Sequence, residues 1–82
     1  MSENTQVTGR QIAAGRALLG LAQGDLAAAA RISVPTLRRM EASEGPAVGM
    51  ANNVESIRRA LEAAGVEFIP ENGGGAGVRL KR

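Results

Sequence analysis

Gln23-Gly-Asp-Leu-Ala-Ala-Ala-Ala-Arg-Ile-Ser-Val-Pro-Thr-Leu-Arg-Arg-Met-Glu41 holds the densest run of structural signals in the chain. It divides into two short helices joined by a tight turn. The first runs from about Gln23 to Ala30, with Leu26, Ala27 and Ala30 on its inner face. Its consecutive alanines favour helix and permit close packing. Arg31 and Ile32 make the turn. Ser33 then stands where a hydroxyl can accept an orphan backbone N–H, and Pro35 falls in the first turn, where a missing N–H does no harm. Leu37 and Met40, three apart, point inward, which turns Thr36, Arg38 and Arg39 elsewhere.

Upstream, Thr8 and Gln11 have the spacing of a capping box, so a helix is expected from Thr8. Ile12, Gly15, Arg16 and Leu19 share one face at the helical period. Gly20 ends it. Gly15 costs about 1 kcal/mol against alanine in a helix interior, and close approach of another backbone is the expected reason. Residues 1–7 show no period and read as a flexible N-terminal arm.

Downstream, the glycine- and proline-punctuated residues 43–52 read as a loop. A fourth helix is expected from about Asn53 to Ala64, with Val54, Ile57, Leu61 and Ala64 as its apolar stripe and Gly65 just past its end. The period then changes. Val66-Glu-Phe-Ile69 and Val78-Arg-Leu-Lys81 alternate around a glycine-rich stretch that includes Asn72-Gly73, a common turn dipeptide. This predicts a β-hairpin with Val66, Phe68, Val78 and Leu80 on one face. Gly73-Gly-Gly-Ala-Gly77 lacks the Lys-Ser/Thr ending and the following helix of a phosphate loop, so a flexible turn is expected.

Composition narrows the function. The chain has 82 residues, no cysteine, no histidine and a formal net charge of +2. One domain is expected, with a core small enough that helix packing or a partner subunit must supplement it. Absent cysteine and histidine exclude disulfides, thiolate metal sites and the usual zinc ligand and general base. Glu55 and Glu62 lie seven apart on one helix face, a solvated arrangement, and no spacing of carboxylates suggests a metal. No enzyme activity, catalytic residue, metal or cofactor is therefore expected. No apolar run approaches the roughly 20 residues of a membrane span, and the first residues lack a signal-peptide core. A cytoplasmic location, with no membrane and no small-molecule substrate, is the expectation.

The charge distribution says more. Arg31, Arg38 and Arg39 sit in the central segment, whose acids are confined to its ends at Asp25 and Glu41. A second basic group, Arg79, Lys81 and Arg82, lies at the C-terminus. A short helix with little bulk in its first turn and two exposed arginines suits an element laid in the major groove, where guanidinium groups can fork onto guanine edges or pair with phosphates. The same inner residues would serve any helical hairpin, so an ordinary packing unit is the competing reading.

These residues resemble the helix-turn-helix of the phage-repressor and Cro class, the XRE family. The pattern is Arg16, Gly20-Leu21, Gln23, Leu26-Ala27, Ile32-Ser33, Thr36-Leu37 and Met40-Glu41, within residues 9–64. Residues 61–70, Leu-Glu-Ala-Ala-Gly-Val-Glu-Phe-Ile-Pro, resemble an ending of short bacterial members. The resemblance implies a mostly α, lambda-repressor-like bundle of four or five helices, here with a C-terminal hairpin. It implies a DNA-binding domain at 8–65; residues 66–82 are a candidate dimerisation element because the edges of a hairpin can pair with another strand.

It further implies sequence-specific binding of double-stranded DNA and transcription regulation, with helix 33–42 in the major groove of a paired site and the protein acting as a homodimer. Gln23 would contact phosphate or base. Val34, Pro35 and Arg39 would read bases, Ser33 and Thr36 would touch phosphate, and Arg38 would lie at the groove edge. Arg16 and Glu41 would form a structural, partly buried ion pair. Arg31 departs from the pattern, because many members have glycine there. Either arginine bears a modest conformational cost, or the turn is remodelled, or Arg31 gains a phosphate contact. Val34 and Pro35 offer no side-chain donors but suit a thymine methyl. The rival reading is an antitoxin-like interaction module whose main partner is another protein. Leu18 and Ile69, apolar and expected outside the core, are either ordinary single exposed apolar residues or mark packing of a second copy.

Overall fold

The computed structural model describes residues 6–71 and 73–81. Helix α1 spans Gly9–Leu19 and opens on the expected capping box. Thr8 Oγ1 accepts the Gln11 N–H at 3.0 Å, and Gln11 Oε1 accepts the Thr8 N–H at 2.9 Å. Helix α2 spans Gln23–Ala30 and α3 spans Val34–Glu41, with the Ser33 hydroxyl accepting the Thr36 N–H. Helix α4 spans Ala51–Ala63. Strands β1, Val66–Ile69, and β2, Gly77–Leu80, pair antiparallel with Val66 opposite Leu80 and Phe68 opposite Val78. The described residues form a small bundle of four helices closed by a C-terminal hairpin.

The core collects the apolar stripe of every element. Ile12, Leu26, Leu37, Met40, Ile57, Leu61 and Val66 are its fully buried members. Phe68, Val78 and Leu80 pack partly buried against it, so the hairpin lays one face over α1 and α4. Gln11 ties the hairpin down. Its buried amide Nε2 donates to the Gly77 carbonyl at 2.9 Å and approaches that of Ile69 at 3.4 Å.

The structure corrects the sequence reading in several places. Val7, placed in the flexible arm, is buried in the core, and its carbonyl accepts the Ala47 N–H at 2.9 Å. Thr8 forms a bridge with Pro46, so the chain ahead of α1 is strapped to the loop after α3. Residues 1–5 of the proposed arm lie outside the described residues. Helix α4 begins at Ala51, two residues early, because Met50 occupies the capping position without a side-chain hydrogen bond and leaves no sequence signal. Ala64, assigned to the stripe, is exposed.

Gly15 is not approached by backbone: a β-carbon there would meet only the Leu61 and Val66 side chains, at an ordinary 3.5 Å. The close approach occurs instead at Gly9, where a β-carbon would collide with the carbonyl oxygens of Met40 and Ser43. The strands are joined by residues 70–76, the glycine-rich stretch expected between them, with Gly77 already in β2. Asn72 of the expected turn dipeptide lies outside the described residues. No helix among the described residues is long and apolar enough to cross a membrane.

Candidate nucleic-acid interface

The geometry of the α2–α3 pair begins with its turn. Gly20 and Arg31 end α1 and α2 in the same way. Gly20, at φ 69°, donates its N–H to the Ala17 carbonyl, and Leu21 N–H reaches the Arg16 carbonyl. Arg31, at φ 61° and ψ 44°, donates to Ala28, and Ile32 N–H reaches Ala27. Both are paired-carbonyl caps built on a left-handed residue. Among the described residues, Arg31 is the one non-glycine residue at positive φ. The turn therefore keeps the geometry glycine would give, with an exposed cationic side chain in glycine's place.

A buried-side anchor fixes the pair to α1. Arg16 Nε donates to Glu41 Oε2 at 2.8 Å and Arg16 Nη2 to Glu41 Oε1 at 3.0 Å, a two-pronged pairing. Arg16 Nη1 donates to the Leu21 carbonyl at 2.9 Å. Gln23 Nε2 donates to Glu41 Oε1 at 3.0 Å. The Glu41 side chain is only 8% exposed, so a near-dry carboxylate accepts three hydrogen bonds from α1 and α2. The guanidinium of Arg16 is held in its charged form, first by its hydrogen bond to Glu41 and also by that group's charge, against the opposing effect of burial. The cluster joins the end of α1, the start of α2 and the end of α3.

Gln23 was expected at the DNA contact; the structure places it in this anchor. One amide N–H is engaged by Glu41, which leaves the second as a donor in a fixed orientation. Sequence reading paired Arg16 with Glu41 but carried no signal for Gln23 as the third member.

The outer side of α3 collects the remaining candidates. Pro35, Arg38 and Arg39 are exposed, and Ser33 is exposed at the helix start. Thr36 is half-buried. Val34 is also half-buried and packs against the core, so much of its apolar surface is already spent inside the protein. Ser33 Oγ donates to Thr36 Oγ1 at 2.8 Å while accepting the Thr36 N–H, so the Ser33 O–H is spent locally and that of Thr36 is left over.

Arg31, Arg38 and Arg39 make no salt bridge among the described residues, unlike several arginines elsewhere. Arg58 lies between Glu55 and Glu62 on α4, at 2.6 and 2.9 Å, and Arg59 reaches Glu55 at 3.0 Å. Arg79, of the expected C-terminal basic group, pairs with Glu67 across the hairpin at 3.0 Å. Arg82 of that group lies outside the described residues. Hydrogen bonds from Arg58 and Arg59 hold the Glu55 carboxyl below its ordinary range, and one from Arg79 does the same for Glu67.

A groove of about 870 Å³ lies between the N-terminal segment, α4 and the hairpin, with Gln11, Glu44, Glu55, Arg58 and Phe68 in its lining. Its Glu55 and Glu62 are already engaged by Arg58, so neither is poised as a free acid or base. Among the described residues no three metal-ligating side chains gather. Sequence reading also missed Val48 and Met50, which stand 52% and 67% exposed in the loop before α4 and exceed Leu18 at 45%. Isolated apolar residues in a glycine-broken loop carry no periodicity from which exposure can be read. Ile69, expected to face outward, is half-buried. No protein-family model and no curated protein matches the chain.

Proposed function

We propose that the protein binds double-stranded DNA sequence-specifically, as a cytoplasmic transcriptional regulator of the phage-repressor type that lays α3 in the major groove. The observation that carries this reading is the division of the arginines. Arg16, Arg58, Arg59 and Arg79 are matched to glutamates, whereas among the described residues Arg31, Arg38 and Arg39 make no salt bridge and cluster on one turn and the helix after it; Arg10 on α1, also exposed and without a salt bridge there, stands apart from this cluster. Unmatched guanidinium groups on a short exposed helix complement phosphates and guanine edges.

On this reading Arg39 reads a base edge, Arg38 and Arg31 meet phosphates, and the Ser33–Thr36 end of α3 lies against the backbone. Gln23, oriented by Glu41, offers its second N–H to a phosphate. The Arg16–Glu41 cluster positions the reading helix and does not touch DNA. The protein performs no catalysis and needs no cofactor.

One chain carries one α2–α3 pair, so two reading helices set one DNA turn apart, roughly 34 Å, require two copies, and the protein acts as a homodimer on a paired site. Selection of bound duplexes from a random pool tests the proposal. It should enrich one motif arranged as two related half-sites, and Arg39→Ala should relax the preference at one base pair per half-site at a cost of about 1–3 kcal/mol. A pool that stays random after selection would overturn it. The exposed Val48 and Met50 favour a second reading, an interaction module whose partner is another protein. A stoichiometric protein complex that Met50→Lys abolishes, with no enrichment of DNA, would establish that reading instead.

A further inference from the structure

We infer that α3 recognises the 5-methyl group of a pyrimidine lying beside a guanine; this rests on the DNA-binding reading above. The first turn of α3 has almost no free polar group to aim at a base edge. The Ser33 hydroxyl is occupied twice by Thr36; the Thr36 hydroxyl accepts one of those bonds and keeps its own O–H, on a half-buried residue that the reading above sets against phosphate. Val34 is committed to the core side. Pro35, the exposed residue of this turn, carries neither a side-chain donor nor a backbone N–H.

What the turn presents is a rigid apolar ring. One apolar feature distinguishes base pairs in the major groove, the methyl on pyrimidine C5. Arg39 stands four residues after Pro35 and is exposed, so ring and guanidinium are neighbours on one face, with β-carbons about 5–6 Å apart. Bases on one strand are stacked about 3.4 Å apart, so a ring set on one base pair leaves the extended guanidinium within reach of the next. Guanine O6 and N7 are the acceptors that suit its fork. A methylated pyrimidine next to guanine satisfies both groups at once. Thymine and 5-methylcytosine both supply the methyl.

The test uses the full chain and its selected duplex. Each thymine is replaced in turn by deoxyuridine, which removes only the methyl. One such replacement per half-site, beside a guanine, should weaken binding about fourfold, the worth of one buried methyl-sized group. The Pro35→Ser variant should bind the thymine and deoxyuridine duplexes equally. A third arm places cytosine at that position, with or without a 5-methyl. A gain on methylation shows that the methyl is read from either source, and no gain restricts the recognition to thymine. Sequence-specific binding that is indifferent to deoxyuridine at every position would overturn this inference and leave the DNA reading intact, as would a deoxyuridine penalty that persists in Pro35→Ser. Absence of sequence-specific binding would overturn both.

Discussion

Arg31 holds a left-handed backbone that glycine adopts freely and that costs other residues about 1–2 kcal/mol. Retaining arginine there is explicable if its side chain does something outside the fold. Arg31→Gly is therefore expected to raise stability by about 1 kcal/mol in urea unfolding while weakening DNA binding and lowering the salt slope by about one phosphate contact. A gain in stability with unchanged binding would remove Arg31 from the interface.

Two glycines of α1 make a paired prediction at the same scale. Gly9→Ala forces a β-carbon into two backbone carbonyls and should cost about 1–3 kcal/mol or more. Gly15→Ala meets side chains at ordinary contact distance and gains helix propensity, so the unfolding free energy in urea should hold or rise, by up to about 1 kcal/mol. The sequence pointed to the wrong member of this pair. A glycine inside a helix stands out against the period, whereas one at the helix start looks like ordinary turn chemistry. The packing that makes Gly9 indispensable comes from Met40 and Ser43, far along the chain.

At the scale of elements, the reading was good wherever a local signal exists. The capping box of α1, Gly20, the Ser33 cap and the alternation of the hairpin all lie within a few residues of the structure they specify. Long-range roles were not legible. Gln11 was read as a capping residue, yet its amide also holds the hairpin from 66 residues away at Gly77. The start of α4 was missed because Met50 provides no cap to see.

The Arg16–Glu41–Gln23 cluster is the element-scale device on which α3 depends. Arg16→Met strands a largely buried carboxylate with Gln23 as its remaining side-chain partner, and should cost about 2 kcal/mol, less than a fully buried pair because Arg16 keeps some solvent access. Adding Glu41→Leu should recover much of that loss. A double-mutant cycle in urea measures both, and a zero coupling would show that the pair does not hold the helices together.

For the whole molecule, the hairpin is part of the single core and not an appendage. Val66 is fully buried, and Phe68, Val78 and Leu80 cover α1 and α4. Removing residues 66–82 would strip the core, so a hairpin role in dimerisation must be tested at its outer edges, not by truncation. Stability should also respond to acid. The folded state holds Glu55 and Glu67 below their ordinary value of 4.5 through hydrogen bonds from Arg58, Arg59 and Arg79. A depressed folded-state value contributes stability that is present above about pH 4.5 and is lost as pH falls through the folded value. The urea midpoint should therefore decline on acidification, modestly because these groups are exposed, and Glu55→Gln should flatten the decline.

If Arg31, Arg38 and Arg39 meet DNA, they must show it in both specificity and salt dependence. The most direct measurement is the affinity of the full chain for the selected duplex and for a scrambled one across a salt series. Affinity for the selected duplex should exceed that for the scrambled one by on the order of 10³-fold or more. Log affinity should fall linearly with log salt, with a slope that lessens by about one in Arg38→Ala. Equal affinity for both duplexes, or a slope untouched by loss of Arg31, Arg38 and Arg39 together, would contradict the DNA reading.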